Sequence, residues 1–382
     1  MRTLYDTSTC YFLVLSALLV GRPACSNDLI YDDLLDDEEG LDQNYIAVED
    51  QPMPVKQEGH SFLAPSPHFS KGWGIVLNAD FLYWKAKEEG LSYALSSPNF
   101  TTTGLFAQSD LTKGVKGKIS RLDPGYEPGV RLSADFFLPR DHWNLELSWT
   151  YYRNTHSSHK TAHPPHVIFP FWLNANFDPL SIKAHAHWNL TLNNLELTLG
   201  RAFCAGKFFS IRPFAGLQAA WIEQHLNINY VEVSFDNGQT TTRIKSFNKN
   251  DTQGYGITAG FETKWELRYG FSLEGDFSGA LLWTDYDLHQ HEKNGDNSLR
   301  TRITDNFHQI TAVLNVFAGL NWETQFHKER FYLQFHAGWE EQVWFDQNEL
   351  NRFINNHNVG STANLQGDLS FSGWTIGGKF GF

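Results

Sequence analysis

The sequence has little of what defines several common protein classes. Only 3 of its 382 residues are cysteine, 2 are methionine, and 19% are charged. Its longest apolar run, Tyr11–Val20, is shorter than the roughly 20 residues that a membrane-spanning helix needs. Aromatic residues, in contrast, make up 15% of the chain, which is too many for a disordered protein. Helical membrane proteins and wholly disordered chains are therefore excluded.

Basic stretches are also lacking. The formal net charge is -13, and much of it comes from one segment, with eleven Asp or Glu against one Lys between Asn27 and Glu58. The rest of the chain is nearly balanced and has no basic stripe that could neutralise phosphates along a strand. Nucleic acid is therefore not expected as a partner.

The first residues resemble an export signal. Arg2 precedes a short apolar stretch that ends in small residues, which predicts a signal peptide over residues 1–26 with cleavage after Ser26; a short buried helix is the alternative. Residues 27–72 are acidic and contain proline, which predicts a flexible segment. The mature chain would keep only Cys204, which excludes a scaffold built on disulfides.

Residues 73–382 have an apolar period of two. From Trp73 to Tyr83 every second residue is apolar and the others are mostly small or polar, an alternation that only an extended strand presents as two faces. A polar break at Asn193–Asn194 shifts this phase, as a β-bulge would. Ten segments follow the pattern, near 73–83, 130–138, 143–151, 188–199, 209–221, 255–265, 271–283, 310–322, 331–339 and 368–382.

The connections between these segments alternate in length. Short turns near 139–142, 205–207, 266–269 and 323–330 alternate with long polar segments near 85–125, 156–182, 225–252, 285–306 and 346–366. Short periplasmic turns and long external loops are typical of outer-membrane barrels, which close on themselves because lipid offers no partner to an open edge. The pattern predicts an all-β, transmembrane, antiparallel up-and-down barrel of 10–16 strands.

Extra strands and another fold class remain open at this point. Residues 91–95 and 118–122 could form a further hairpin, while 228–235 and 240–247 are expected to continue two counted strands outward. A soluble β-sandwich or barrel would show the same alternation, but it gives no reason for loop lengths that differ between the two ends. Aromatic residues at the strand ends also favour the membrane barrel, namely Trp73, Tyr83, Trp143, Trp149, Tyr151, Trp221, Trp265, Trp283, Trp322 and Trp339.

Several pieces of residues 73–382 resemble the Legionella-type major outer membrane protein family, which also occurs in chlamydia-like bacteria. They are NADFLYWK at 78–85, DPG at 123–125, LELTLGR at 195–201, IRPFAG at 211–216 and GWEEQ at 338–342. The terminal Phe382 is similar to the assembly signal of outer-membrane proteins. The resemblance implies a porin-like barrel in the bacterial outer membrane without catalytic residues to carry over, and the acidic segment before Trp73 is not part of the family pattern.

The polar face of the strands supplies the candidate site. In a barrel these side chains point into the lumen, where charges of both signs select solutes, or pair with one another and fill a narrow lumen. The pore-lining candidates are Arg131, Asp135, Glu146, Arg212, Glu262, Lys264, Glu274 and Asp276.

Other chemistry is sparse. His156, His159, His163 and His166, with His185 and His187, could bind a transition metal, but no carboxylate or thiol accompanies the first four, which favours solvated loop histidines. No Gly-x-Ser-x-Gly motif, phosphate-binding loop or Cys-x-x-Cys pair is present. We therefore expect neither an enzyme, nor a metal site, nor a cofactor.

Two functions follow as hypotheses. The first is a porin-like channel for passive diffusion of small hydrophilic solutes or ions. The second is a non-conducting surface barrel, structural or adhesive, whose long loops bind a partner. Strand number discriminates them, because more than about twelve strands favours a channel and ten favours a filled barrel. The expected partners are outer-membrane lipid and, for the channel, small solutes; any homo-oligomer is expected to be non-covalent.

Overall fold

The structure is a computed structural model. It describes residues 67, 73–97, 117–139, 143–163, 167–173, 181–234, 240–327, 330–353, 362–364 and 366–382. The predicted signal peptide and, apart from Pro67, the acidic segment lie outside the described residues, as does His166. Among the described residues, no helix has the length and apolar character needed to cross a membrane.

All regular secondary structure in the described part of the chain is strand. The strands are β1 Gly74–Glu88, β2 Ser92–Ser97, β3 Lys118–Arg121, β4 Tyr126–Phe137, β5 Trp143–Thr161, β6 Val167–Pro170, β7 Ser181–Arg201, β8 Phe203–Cys204, β9 Phe209–Ser234, β10 Thr240–Glu266, β11 Phe271–Asn294, β12 Leu299–Phe326, β13 Phe331–Asn348, β14 Asn351–Phe353, β15 Thr362–Asn364 and β16 Gly367–Gly381.

Ten of these strands form one closed antiparallel barrel. Around the wall the order is β1, β4, β5, β7, β9, β10, β11, β12, β13 and β16, and β16 pairs with β1 to close it. Closure gives every wall strand a hydrogen-bonded neighbour on both sides, as lipid requires. The prediction of an antiparallel barrel with ten strands is therefore confirmed.

The six short strands lie outside the barrel wall. β2 pairs with β3 and with β6, and β6 meets β7 at Ile168 and Ser181. The hairpin expected at 91–95 and 118–122 therefore exists, but it packs at the outer end instead of adding strands to the barrel. β8 follows β7 and pairs with the periplasmic end of β9, and among the described strands β14 pairs with β15 alone.

The part of the wall that crosses the membrane has its apolar face outward. On β1, Leu77 and Phe81 are 50% and 54% exposed, whereas Asn78 and Asp80 between them are buried. Lipid-facing aromatic residues form an outer belt and an inner belt, as the sequence predicts. The outer belt contains Tyr83, Trp149, Tyr151, Trp221, Tyr255, Trp283, Trp339 and Trp374, and the inner belt contains Trp73, Trp143, Trp265, Phe271 and Trp322.

The bulge expected at Asn193–Asn194 does not exist. β7 keeps one register with β5 and with β9 through this position. What changes is the side of the strand that is apolar: Leu192 points inward and is fully buried, whereas Leu195 points outward and is 37% exposed. The strand leaves the lipid here, and beyond it the exterior faces water, so the apolar side chains turn to the interior.

The barrel continues far beyond the outer belt. Two of the predicted long loops, 225–252 and 285–306, are mostly strand, because β9 and β10 pair out to Ser234 and Thr240, and β11 and β12 are joined by the turn after Asn294. The expectation for 228–235 and 240–247 is thus confirmed for the described residues. The predicted short turn at 323–330 is shorter than expected, since β12 runs to Phe326.

The interior of this extension is packed with apolar side chains. Trp84, Trp188, Trp344, Tyr152 and Phe371 are at most 1% exposed. Phenol groups tie the packing together: Tyr152 donates to the Trp84 carbonyl oxygen at 2.7 Å, and Tyr230 donates to that of Tyr93 at 2.6 Å.

The short strands close over this packing from the outer end. Tyr93, Ile168 and Trp172 belong to the same buried cluster, and the Arg352 guanidinium lies 4.6 Å from the Trp172 ring centroid. We call the buried set Trp84, Tyr93, Tyr152, Ile168, Trp172, Trp188, Leu190, Leu192, Trp344 and Phe371 the outer apolar layer.

Cys204 was expected to be the only cysteine left after signal removal. It lies at the end of β8. The other two cysteines, Cys10 and Cys25, lie outside the described residues.

Candidate functional site: a charged lumen beneath the outer apolar layer

A polar cavity of about 140 Å³ occupies the lumen inside the membrane-spanning part of the barrel. Of the eight pore-lining candidates, Arg131, Glu146, Glu262, Glu274 and Asp276 line it. The other three lie beside it. Arg212 pairs with Glu146, which lines the cavity, and Asp135 accepts a hydrogen bond from Asn144. Lys264 lies nearer the periplasmic end. Their role in conduction remains a prediction.

Arg131 and Glu340 form a buried ion pair in the lumen. Arg131 donates to Glu340 through both terminal nitrogens, at 2.6 and 3.2 Å, and through Nε to Thr150 at 3.1 Å. Thr375 donates to Glu340 at 2.7 Å and accepts from the Trp84 indole at 3.1 Å. Such bidentate, charge-assisted bonds are strong and geometrically specific, so this network links the charged lumen to the outer apolar layer.

Arg212 organises a second cluster on the opposite side of the lumen. Its Nε donates to Asn144 at 2.7 Å, and its Nη1 lies 3.5 Å from the Glu146 carboxylate and closer still to that of Glu262. Asn144 in turn donates to Asp135 at 3.1 Å. Four sequence-predicted residues are therefore brought together around one guanidinium.

Lys264 belongs to a third cluster, near the periplasmic turn. Its ammonium group pairs with Glu323, and the Tyr332 hydroxyl donates to the same carboxylate at 2.8 Å. This cluster occupies the lumen on the strands β10, β12 and β13, so the lower lumen is also crossed by paired side chains.

Carboxyl groups outnumber bases in the described lumen. It contains nine carboxyl groups and four permanent bases, with His336 beside them. The carboxyl groups are Asp80, Asp135, Glu146, Glu196, Glu262, Glu274, Asp276, Glu323 and Glu340, and the bases are Arg131, Arg212, Lys264 and Lys379. Buried oxygens of Glu274 and Asp276 have no hydrogen-bond partner among the described protein atoms. An interior of this kind attracts cations and water.

Sequence reasoning missed five of these thirteen charged groups. Asp80, Glu196, Glu323, Glu340 and Lys379 were not among the candidates, although each stands next to lipid-facing apolar residues, as Glu196 does between Leu195 and Leu197. Their position on the inward phase of a strand would have found them. His336 carries the same signal, because it stands between the outward-facing Phe335 and Ala337.

Asp80 and His336 meet across β16 because a glycine separates them. Asp80 Oδ1 lies 3.1 Å from His336 Nε2, and both residues pair in register with Gly377. A Cβ at Gly377 would overlap Asp80 Oδ1 and lie 2.8 Å from the His336 ring. A side chain at this position would therefore push the two groups apart.

We expect Gly377→Ala to lower the free energy of unfolding by about 1–3 kcal/mol, the usual cost of overpacking. The matched control is Gly378→Ala on the lipid face, where a Cβ would lie 3.3 Å from the Phe335 ring. Urea unfolding followed by tryptophan fluorescence in lipid vesicles measures both. Equal losses for the two variants would contradict the assignment of Gly377 as a spacer.

The remaining candidates have simpler surroundings. Phe382 pairs through its backbone with Ile75 and is 48% exposed; its role as an assembly signal remains a prediction. The described histidines of the predicted cluster lie on β5, on β7 or just after β5. Between the two strands, Ser157 and His187 are hydrogen-bonded at 2.7 Å. In the described part of the chain no three His, Cys, Asp or Glu side chains are grouped to hold a metal ion.

Comparison with known proteins identifies the family. The profile of the Legionella pneumophila major outer membrane protein precursor matches residues 66–382. The chain belongs to this family. The family and the closed barrel place it in the bacterial outer membrane. No curated protein sequence matches.

Solved structures with similar folds share little sequence with this family member. The outer membrane protease OmpT of Escherichia coli is 10% identical, with 84% of this chain and 98% of that chain covered and a TM-score of 0.40. A Pseudomonas aeruginosa FadL homologue is 11% identical, with coverages of 85% and 95% and a TM-score of 0.26. The toluene transporter TodX of Pseudomonas putida is 9% identical, with coverages of 81% and 90% and a TM-score of 0.28.

Proposed function

We propose that the protein is a surface barrel that does not conduct in its resting state, and that its outer extension presents surfaces to other molecules. The observation that supports this most directly is the outer apolar layer. Trp84, Trp188 and Trp344 fill the interior just above the charged lumen and are at most 1% exposed. An ion would have to shed its water to pass such packing, which costs several kcal/mol or more.

The size of the barrel supports the same proposal. A barrel of about eight strands is just wide enough for its side chains to fill, whereas water-filled porins have about 16–18 strands. This barrel has ten, and inside the membrane its lumen is crossed by the Arg131, Arg212 and Lys264 ion pairs. Structural support of the envelope and binding of partners by the extension are the roles that we propose for this barrel.

A porin-like channel for small hydrophilic solutes or ions is the second candidate function. It is favoured by the lumen itself, which is polar, carries an excess of carboxyl groups and contains a cavity of about 140 Å³. Solutes would pass only when the outer apolar layer moves. Because carboxyl groups are in excess, any current through this lumen should favour cations.

Current through planar lipid bilayers tests the two candidates. The purified wild-type protein is expected to give no discrete steps. Trp188→Ala removes a fully buried indole from the outer apolar layer and should give open steps, whereas Trp283→Ala removes a 57% exposed indole from the outer belt and should not. Each variant is first checked for the heat-modifiable gel mobility of a folded barrel. Regular open steps from the wild type would overturn the resting-closed proposal and favour the channel.

We make three further proposals. The protein acts without catalysis, its membrane partner is outer-membrane lipid, and any homo-oligomer is non-covalent. The proposal that the protein acts without catalysis is supported in part by the lumen, where the charged side chains pair with one another: Arg131 with Glu340, and Arg212 with Glu146 and Glu262.

A further inference from the structure

A basic groove of about 520 Å³ opens on the outside wall of the extension, across β9 to β12. Five of its lining side chains are basic: His225, Lys249, His289, His291 and Arg302. Phe247 lies between them, and no carboxyl group is among the lining residues. We call this site, defined by these six residues, the basic groove.

Strand register brings the six side chains together. Lys249 pairs directly with His225 on β9 and with His289 on β11, while Phe247 pairs with His291, which pairs with Arg302 on β12. These residues form two neighbouring rows across four strands. Because alternate residues of a strand point to the same face, the six side chains lie on one face of the wall. It is the outward face, because Tyr255 and Trp283 have the same phase on β10 and β11 and are half exposed.

The positive charge of the groove is only partly neutralised. Asp251 pairs with Lys249, and Asp287 lies 3.2 Å from His289, both on the side toward the membrane. Arg302 makes no ion pair among the described residues. Burial lowers the pKa of His291, and the nearby Lys293, Arg302 and His289 lower it further. The contribution of these three basic neighbours, and not that of burial, is the part that indicates a positive potential at the distal end of the groove.

The same end offers a flat ring surface beside the charges. The rings of Phe247 and His291 are stacked at 4.7 Å and 15°, and the Lys293 ammonium group lies 5.8 Å from the Phe247 centroid. A sugar ring packs on aromatic faces of this kind while neighbouring cations hold its anionic substituents.

The height of the groove indicates where its ligand would come from. Phe247 is eight residues beyond Tyr255 of the outer belt on the same strand. At about 3.3 Å per residue and a tilt of about 40°, that is roughly 20 Å above the lipid boundary. The groove faces sideways, over the membrane surface, into the layer that the saccharide head groups of outer-leaflet glycolipids occupy.

We propose that the basic groove binds a phosphate-bearing saccharide of an outer-leaflet glycolipid in the same membrane. Arg302 and Lys249 contact the phosphate, and the stacked Phe247 and His291 rings contact the sugar. The site lies outside the lumen, so the proposal stands whether or not the barrel conducts.

Lipid retention by the purified protein tests this site. The full-length barrel is placed in phosphatidylcholine vesicles that contain a glycolipid with a phosphorylated core oligosaccharide extending beyond its lipid anchor, extracted in mild detergent, and analysed for bound glycolipid by native mass spectrometry. Arg302→Glu should reduce retention roughly tenfold or more, since one lost charge-assisted contact of about 1.4 kcal/mol already gives that factor. The matched control is Arg121→Glu, an equal charge change at an exposed residue of β3 away from the groove.

Two further arms identify the source of the anion. The same glycolipid without phosphates should be retained no better by wild type than by Arg302→Glu. A soluble sulfated polysaccharide should bind more weakly than the membrane glycolipid. Equal retention by wild type and Arg302→Glu overturns the proposal, and so does retention that is independent of phosphate. Tighter Arg302-dependent binding of the soluble polysaccharide also overturns it, because it would assign the groove to a free polyanion.

Discussion

Replacing Arg131 with methionine is expected to lower the free energy of unfolding by roughly 3–5 kcal/mol, the cost of leaving one member of a buried ion pair without its partner. The side chain of Glu340 is 1% exposed and that of Arg131 is 22% exposed. Without the guanidinium, the carboxylate keeps the Thr375 hydroxyl at 2.7 Å but loses both charge-assisted bonds. The uncompensated charge, not the lost attraction, dominates the loss.

A double variant separates these two contributions. Arg131→Met with Glu340→Leu removes both charges and should recover most of the stability lost in Arg131→Met, since apolar replacements of buried pairs are often neutral. The matched control is Lys85→Met. Lys85 pairs with Asp123 at the same short distance, 2.7 Å, but the two side chains are 30% and 80% exposed, so the expected loss is below about 1 kcal/mol.

Urea unfolding in lipid vesicles, followed by tryptophan fluorescence, measures all four proteins. The prediction fails if Arg131→Met costs no more than Lys85→Met. It also fails if the double variant is less stable than Arg131→Met alone, because the pair would then contribute through its shape and not through compensation of charge.

The barrel could be predicted from sequence because lipid imposes a simple rule on each strand. Between the belts, outward side chains must be apolar, so Leu77 and Phe81 or Leu195 and Leu197 reveal both the strand and its phase. Closure of these strands into a barrel then follows from the need to pair every edge, with a predicted number of 10–16. The inward phase contains the charged lumen, and Arg131, Glu146 and Arg212 were found by that logic.

The outer part could not be predicted in the same way, because the rule reverses where the strand leaves the lipid. Leu190 and Leu192 look like lipid-facing residues in sequence, yet they point inward and are fully buried. The reversal is visible only as a phase change at Asn193–Asn194, which a bulge would also produce. The partner of each lumen charge was equally hidden, since Arg131 and Glu340 are 209 residues apart in the chain.

The stability of the extension is expected to fall as the pH rises from about 5 to 8, owing to one buried carboxyl group. Glu88 lies five residues beyond Tyr83 of the outer belt, points inward, and is 7% exposed. Neither of its carboxyl oxygens has a hydrogen-bond partner among the described atoms. Burial raises the pKa of Glu88 to about 8, and the Gln224 side chain opposes this only in part.

No cation among the described residues compensates Glu88. Gln224 on β9 faces it, and Tyr286 on β11 lies near it. The pKa of Tyr286 is itself raised, first by burial and then by the carboxyl groups of Glu349, Asp346 and Glu88. A negative charge on Glu88 would therefore stand in an apolar and already acidic environment.

The sign of the pH dependence follows from these shifts. In the folded protein the Glu88 carboxyl group keeps its proton up to about pH 8, whereas in the unfolded chain it loses the proton near its ordinary value of 4.5. Unfolding between these values releases a proton, so rising pH favours the unfolded state by up to about 1.4 kcal/mol per pH unit. Over the full window the loss amounts to roughly 4 kcal/mol.

Glu88→Gln should remove this dependence, because the amide has nearly the same shape and does not ionise. The variant is expected to be more stable than the wild type at pH 8, and the difference should shrink toward pH 5. Glu223→Gln, an exposed residue next to Gln224 on the outer face of β9, should keep the wild-type slope. Unfolding free energies measured from pH 5 to pH 9 decide the matter, and parallel pH profiles for wild type and Glu88→Gln would show that Glu88 is ionised in the folded barrel.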